Sequence, residues 1–220
     1  MEFFSMIVRF FQGGGAMMYP IAVVLVIGAA IAIERYIVLT HTSMRNRGLW
    51  NEIAPLLAQG NFKGAVQITG KSDAAIGQIL SYGLARISSA RSRDDVEKAM
   101  EESLMDVVPR LEKRTHYLAT FANLATLLGL LGTVVGLINA FAAVATVNPA
   151  DKANLLSASI SVAMNCTAFG LMTAVPLLFI HAFLQTKTTE LVDSLEMASV
   201  KFLNAVTERR PEAPATPSAA

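Results

Sequence analysis

Formal charge is scarcest where a soluble domain would need it. Asp, Glu, Lys and Arg make up 16% of the 220 residues, against about 25% in an ordinary soluble domain. They are absent from three runs: residues 115–150 (36 residues), residues 153–186 (34 residues), and residues 10–33. Crossing the hydrocarbon takes about 20 apolar residues, so each run suffices. The two longest would reach about 50 Å as helices and stand proud of a bilayer. A buried core could explain one such run but hardly three. The chain reads as an all-α polytopic membrane protein with three transmembrane helices.

Cysteine is nearly missing too. Cys166 is the only one, which excludes an intrachain disulfide, and inside the third run it reads as a small apolar side chain. No catalytic group, metal site or cofactor is expected, and a net charge of +1 says nothing for nucleic acid. The start, "MEFFSMIVRFFQGGGAMMYP", is interrupted by Arg9 and lacks a small-x-small site, so a cleaved signal peptide is not expected. Residues 2–12 read as an amphipathic helix at the interface, followed by a glycine hinge. A plain apolar extension of the first span is the alternative.

What the membrane runs do contain is small and polar. "LLGLLGTVVGLINAF" (127–141) holds Gly129, Gly132 and Gly136, with Thr133 beside their face. In a soluble helix three glycines would cost about 3 kcal/mol relative to alanine. In lipid, small residues at spacings of three and four let helix backbones approach closely. The glycines are therefore expected to form a helix-packing surface. The third run adds Asn165, whose amide needs protein or water around it, the hydroxyls of Ser157, Ser159, Ser161, Thr167 and Thr173, and Pro176, which frees a carbonyl near residue 172 and distorts the helix. Neither the second nor the third run carries a carboxylate. If the chain conducts protons, another protein must bring the protonatable group.

Basic residues orient the spans. Arg35, Arg45 and Arg47 follow the first, Arg110, Lys113 and Arg114 precede the second, and Lys187 follows the third, whereas the 148–154 connector holds only Lys152. The positive-inside rule places residues 38–114 and the C-terminus in the cytoplasm and the N-terminus outside. The expected order is a helix and hinge over 1–15, spans over 16–38, 115–147 and 155–186, a cytoplasmic helical domain over 39–114, an outer turn over 148–154, a cytoplasmic helical extension over 187–208 and a disordered tail over 209–220. In the cytoplasmic domain Leu49, Ile53, Leu56 and Leu57 have helical spacing, and 72–87 reads as a helix. A helix starting near Ser92, with the stripe Val96, Met100, Leu104, Val107 and Leu111, is expected to run on into the second span as one rod, bent at Pro109. After the third span the pattern Leu191, Leu195, Val200 and Leu203 continues the helix.

"GLLGTVVGLINAF" (129–141) together with "NCTAFGLMTAVPLLF" (165–179) resembles the paired signature of the MotA/TolQ/ExbB proton-channel family. "GGGAMMYPIAVVLVIGAAIAIERYIVL" (13–39) is similar to the opening helix of its ExbB/TolQ branch. The resemblance covers nearly everything from Gly13 to Asn204. It implies a pentameric ring of this subunit in the bacterial inner membrane around two copies of a single-span ExbD/TolR-like partner, whose transmembrane Asp receives the proton. It also implies that Thr133 and Thr167 face the pore, with Gly170 in the packing surface. The load would be a periplasm-spanning or motility protein. One position departs: many ExbB and TolQ proteins carry Glu where Val162 stands, and Asn165 takes an apolar residue's place and could supply pore polarity. Three readings compete: a proton-conducting stator subunit, a non-conducting scaffold built on the glycine faces, and a solute transporter, for which neither inverted repeats nor broken helices are visible.

Overall fold

The structure, a computed structural model, describes residues 10, 11, 13–87 and 92–207. Residues 2–9 and 12 of the expected N-terminal helix, and the expected tail over 209–220, lie outside the described residues. Helices dominate: α1 (Met18–Gln59), α2 (Phe62–Thr69), α3 (Ala75–Ile87), α4 (Arg93–Glu112), α5 (Thr115–Thr146) and α6 (Lys152–Thr207). Among the described residues there is no strand. Three stretches are long and apolar enough to cross a membrane, within Met18–Gln59, Arg93–Thr146 and Lys152–Val206. The molecule is an all-α, three-span membrane protein with long helical extensions.

The chain forms two compact units. One takes the described residues up to Tyr36 with Arg114–Gln185, and the other takes Ile37–Lys113 with the residues from Thr186 onward. In the first, small side chains carry the core: Ala122, Ala125, Gly129, Gly132 and Ala140 of α5 are buried, as are Ala163, Cys166 and Ala174 of α6. Met18, Ile21, Leu118, Leu177 and Leu184 are buried with them, while other large apolar side chains lie outside, with Leu127 62%, Ile138 62% and Phe179 75% exposed. Water would not tolerate so large an apolar surface on a monomer, but lipid or a neighbouring subunit covers it at no cost.

The second unit is built like a soluble domain. Ile53, Leu57, Ile79, Leu80, Met100, Leu195 and Phe202 are buried. Asn61 Oδ1 accepts from the Gly64 amide at 3.0 Å and caps α2. Asn46 Oδ1 accepts from the Ile76 amide at 3.3 Å and serves the first turn of α3, a helix that starts at Ala75 and not at 72. At the head of α4 the Ser92 amide donates to Asp95 Oδ2 at 3.1 Å, half of a capping box. Arg93 Nη2 donates to Asn204 Oδ1 at 3.1 Å, and Lys187 Nζ to Thr40 Oγ1 at 3.3 Å. Of the expected stripes, Ser103 and not Leu104 is fully buried in α4. On α6 Val200 is 52% exposed while the neighbouring Phe202 is buried. Each shift is one or two residues, because the stripe must face several neighbours rather than one.

The expected single rod from α4 into α5 is interrupted. Pro109 sits inside α4, but the helix stops three residues later, at Glu112. Arg114 then adopts a left-handed backbone with φ 68°, the only non-glycine residue with positive φ among the described residues. That conformation costs about 1–2 kcal/mol. Its side chain gains in exchange: Arg114 Nη1 donates to both oxygens of Glu34, at 2.8 and 2.9 Å. Glu34 thus pairs across the unit with Arg114.

Gly83 marks the tightest point of the second unit. A Cβ there would lie 2.7 Å from Met100 Sδ, 2.9 Å from Met100 Cγ and 3.0 Å from a ring carbon of Phe202. Gly83→Val is expected to destabilise this unit by about 1–3 kcal/mol. A lowered unfolding temperature of the purified protein in detergent is the readout, and an unchanged one would refute this packing.

Candidate functional site

The small residues of the second and third spans meet along one antiparallel seam between α5 and α6, which Thr167 joins. Gly136 faces Ala163, Gly132 faces Cys166, and Gly129 faces Thr167 and Gly170. A Cβ on Gly136 would meet Ala163 Cβ at 2.8 Å, and one on Gly132 would collide with Cys166 Sγ. A Cβ on Gly129 would come within 3.3 Å of both the Gly170 and the Thr167 Cα, and one on Gly170 would lie 2.7 Å from the Ala125 carbonyl oxygen and 3.0 Å from the Gly129 Cα. Both strips repeat at three and four residues, the spacing that keeps residues on one helix face. At Gly129 and Gly170 two main chains touch.

That closeness decides what Thr167 does. Its Oγ1 donates to the Gly129 carbonyl at 2.8 Å, a bond between helices and not back into its own turn. The hydroxyl oxygen keeps its lone pairs for another donor. Thr133 differs. It is half-exposed, and its Oγ1 donates to the Leu130 carbonyl at 2.6 Å within α5. Asn165 does not join this seam: its Nδ2 donates to the Gly13 carbonyl at 3.3 Å, in the segment before α1. Pro176 lies in α6, and the helix continues through it.

Two further features lie near the seam, the first of them at Thr173, a hydroxyl already visible in the sequence. Thr173 is 1% exposed, and its Oγ1 has no partner among the described residues. It precedes Pro176 by three residues, so an unpaired hydroxyl and the carbonyl freed at Met172 occupy the same stretch of α6. The second feature is the N-terminal approach to α6: Phe169 meets Phe10 and Phe11 edge-on, at centroid separations of 6.4 and 5.7 Å.

At the other end of the unit His181 Nδ1 lies 3.1 Å from the Thr115 carbonyl oxygen, so Nδ1 carries the proton it donates. The seam offers hydroxyls, an amide nearby and main-chain carbonyls. Such groups pass hydrogen bonds to water or to a carboxylate but cannot themselves hold a proton near neutral pH.

Comparison with known proteins places the chain in a family. Residues 71–197, 127 positions and more than half of the chain, match the MotA/TolQ/ExbB proton channel family. An ExbB homolog of Methanothermobacter thermautotrophicus is 27% identical over 197 residues, 89% of this chain and 69% of that protein. The Tol-Pal system protein TolQ of Pseudomonas aeruginosa is 31% identical over 113 residues, 47% of this chain and 48% of its own length. The biopolymer transport protein ExbB of Aquifex aeolicus is 31% identical over 111 residues, covering 50% and 72%.

The seam makes a sharp prediction through its one side-chain lock. Gly132→Leu should overpack the contact with Cys166 and lower the yield of assembled, monodisperse protein. Gly132→Ala should do so mildly, by about 1–3 kcal/mol in stability, and Cys166→Ala should restore much of that loss. Size-exclusion profiles and melting curves of the single and double variants decide it. Absence of rescue would mean that Gly132 answers to another neighbour.

Proposed function

Because the chain belongs to the MotA/TolQ/ExbB proton channel family, we propose that this multi-pass inner-membrane protein is the proton-conducting stator subunit of a motor that drives a single-span ExbD/TolR-like partner. The observation that carries the reading is the composition of the α5–α6 seam. Thr167 lies in it and Thr133 follows Gly132 on α5, in two runs of sequence without a carboxylate. A proton pathway through them needs a protonatable group from another chain, and one membrane Asp of the partner supplies it. Five copies of this subunit would surround two copies of the partner.

In that arrangement Thr133 and Thr167 hydrogen-bond water or the partner's carboxylate as it changes protonation, and Asn165 contributes its amide. Gly129, Gly132, Gly136 and Gly170 hold α5 against α6 so that the hydroxyls keep their positions, and Pro176 loosens the helix below them. The membrane potential supplies about 2.3 kcal/mol per charge and 100 mV. That work turns or shifts the partner within the ring. Positive residues favour an outer N-terminus, with the helical domain before Arg114 and the C-terminus in the cytoplasm.

A second reading, a non-conducting scaffold, is favoured by two observations. Val162 stands where the relatives' resemblance suggests a carboxylate, and the Thr167 proton is already given to Gly129 O. The readings separate in proteoliposomes. With this chain and its single-span partner together, proton flux is expected, and with this chain alone none. Thr133→Val and Thr167→Val should each lower flux by about tenfold or more, a barrier change of ~1.4 kcal/mol. Assembly should survive, because an interhelical bond of this kind averages only about 0.6 kcal/mol, and Thr167→Ser should conduct. Undiminished flux in both valine variants would remove these residues from the pathway. No flux from a well-formed complex would favour the scaffold.

A further inference from the structure

Where α1 passes the start of α5, the first unit has a cleft of about 340 Å³ lined by Ile31, Arg114, Tyr117 and Phe121. Arg114, Tyr117 and Phe121 follow one another at three and four residues, the spacing of one helix face, and Ile31 stands one turn before Glu34 on α1. Arg114 is the last charged residue before the uncharged run 115–150, and Ile31 belongs to the uncharged run 10–33. The guanidinium therefore sits at the boundary between water and hydrocarbon, and Phe121 lies about 10 Å deeper along α5. Tyr117, exposed between them, is at the level aromatic side chains favour in a bilayer. The pair with Glu34 does not exhaust Arg114. Both hydrogen bonds to that carboxylate come from Nη1, and among the described residues Nε and Nη2 give none. The free Nε–Nη2 edge presents two parallel N–H groups, which match two oxygens of a phosphate. Arg35 is near enough to feel the charges of both Glu34 and Arg114, so one carboxylate and two guanidiniums leave a surplus of one positive charge at this level.

We propose that this cleft is a binding site for an anionic glycerophospholipid, whose phosphate docks on the Nε–Nη2 edge of Arg114 while one acyl chain lies along Ile31, Tyr117 and Phe121. The site does not depend on the stator reading. Its two halves select the occupant. A free phosphate would take the guanidinium and leave the apolar walls bare. A zwitterionic lipid would cover the walls without answering the surplus charge. A second copy of this chain would repeat the same positive surplus at the same level. A lipid with a net negative headgroup satisfies both halves, and basic clefts between membrane helices near the surface hold such headgroups. Once bound, it ties α1 to α5 at the point where Glu34 and Arg114 already join them.

The test places the full-length protein in phosphatidylcholine vesicles with a small fraction of phosphatidylglycerol that carries a photoactivatable diazirine midway along one acyl chain. Phosphatidylcholine with the same diazirine chain is the zwitterionic control, and adducts are mapped by mass spectrometry. The anionic probe should label the residues around Ile31 and Phe121 about fivefold more than the control. Arg114→Gly removes the guanidinium but suits the left-handed backbone, and it should erase the difference between the probes. Ile31→Trp keeps the guanidinium and fills the cleft, and it should cut labelling near Phe121 several-fold. Excess glycerol phosphate in the water should change nothing. Equal labelling by the two probes in the parent protein, an anionic preference that survives Arg114→Gly, or unchanged labelling in Ile31→Trp would each overturn the site. So would full competition by glycerol phosphate, which would make the ligand a free phosphate. No labelling near Phe121 by either probe would give the cleft to a neighbouring copy and overturn it too. None of these readouts involves proton flux, so failure of the stator reading would show separately.

Discussion

The contact between Gly129 and Gly170 fixes the distance between α5 and α6, and the first unit is arranged around that distance. Where main chains meet, no side chain fits, so the flanking positions carry the smallest side chains that still fill space: Ala125, Ala163 and Cys166. Thr167 can reach the Gly129 carbonyl only because the helices are this close. In hydrocarbon no water is released when two apolar faces meet, so close dispersion contact and a shared hydrogen bond must hold the helices together. The large side chains, Leu127, Leu130, Ile138 and Phe179, are left on the outside.

The same economy governs charge. The first unit keeps its ionic contact at one end, where Glu34 meets the forked guanidinium of Arg114, and keeps the seam neutral. A carboxylate in the seam would have to be desolvated among alanines and glycines with only hydroxyls to receive it. A neutral seam spares the folding of this chain that cost.

The second unit obeys different physics. Its core is made of Leu, Ile, Met and Phe, its helix starts are capped by Asn61, Asn46 and the Ser92–Asp95 pair, and its exposed faces carry ion pairs such as Lys98 with Asp94. Hydrogen bonding and charge from Asp94 hold the Lys98 ammonium above its ordinary pKa. α1 and α6 contribute to both units, so each is half membrane helix and half soluble helix.

Much of this was readable along the chain. Three uncharged runs required three spans, and glycines at spacings of three and four required a close helix contact, since both follow from the helical repeat and from the solvent around it. The stripes Val96–Leu111 and Leu191–Leu203 were legible for the same reason, apart from Leu104 and Val200, where several neighbours compete for one face. Chain-local patterns could not say which helix the glycines face, that Glu34 takes Arg114 eighty residues away, that Arg114 breaks the rod, or that Asn165 finds its acceptor in Gly13. The sequence by itself determined how many helices there are and which face of each is small, because period and polarity are local properties. Tertiary structure alone decided which polar group meets which, because those partners lie 38, 80 and 152 residues apart and only the packed distance between helices brings them within reach.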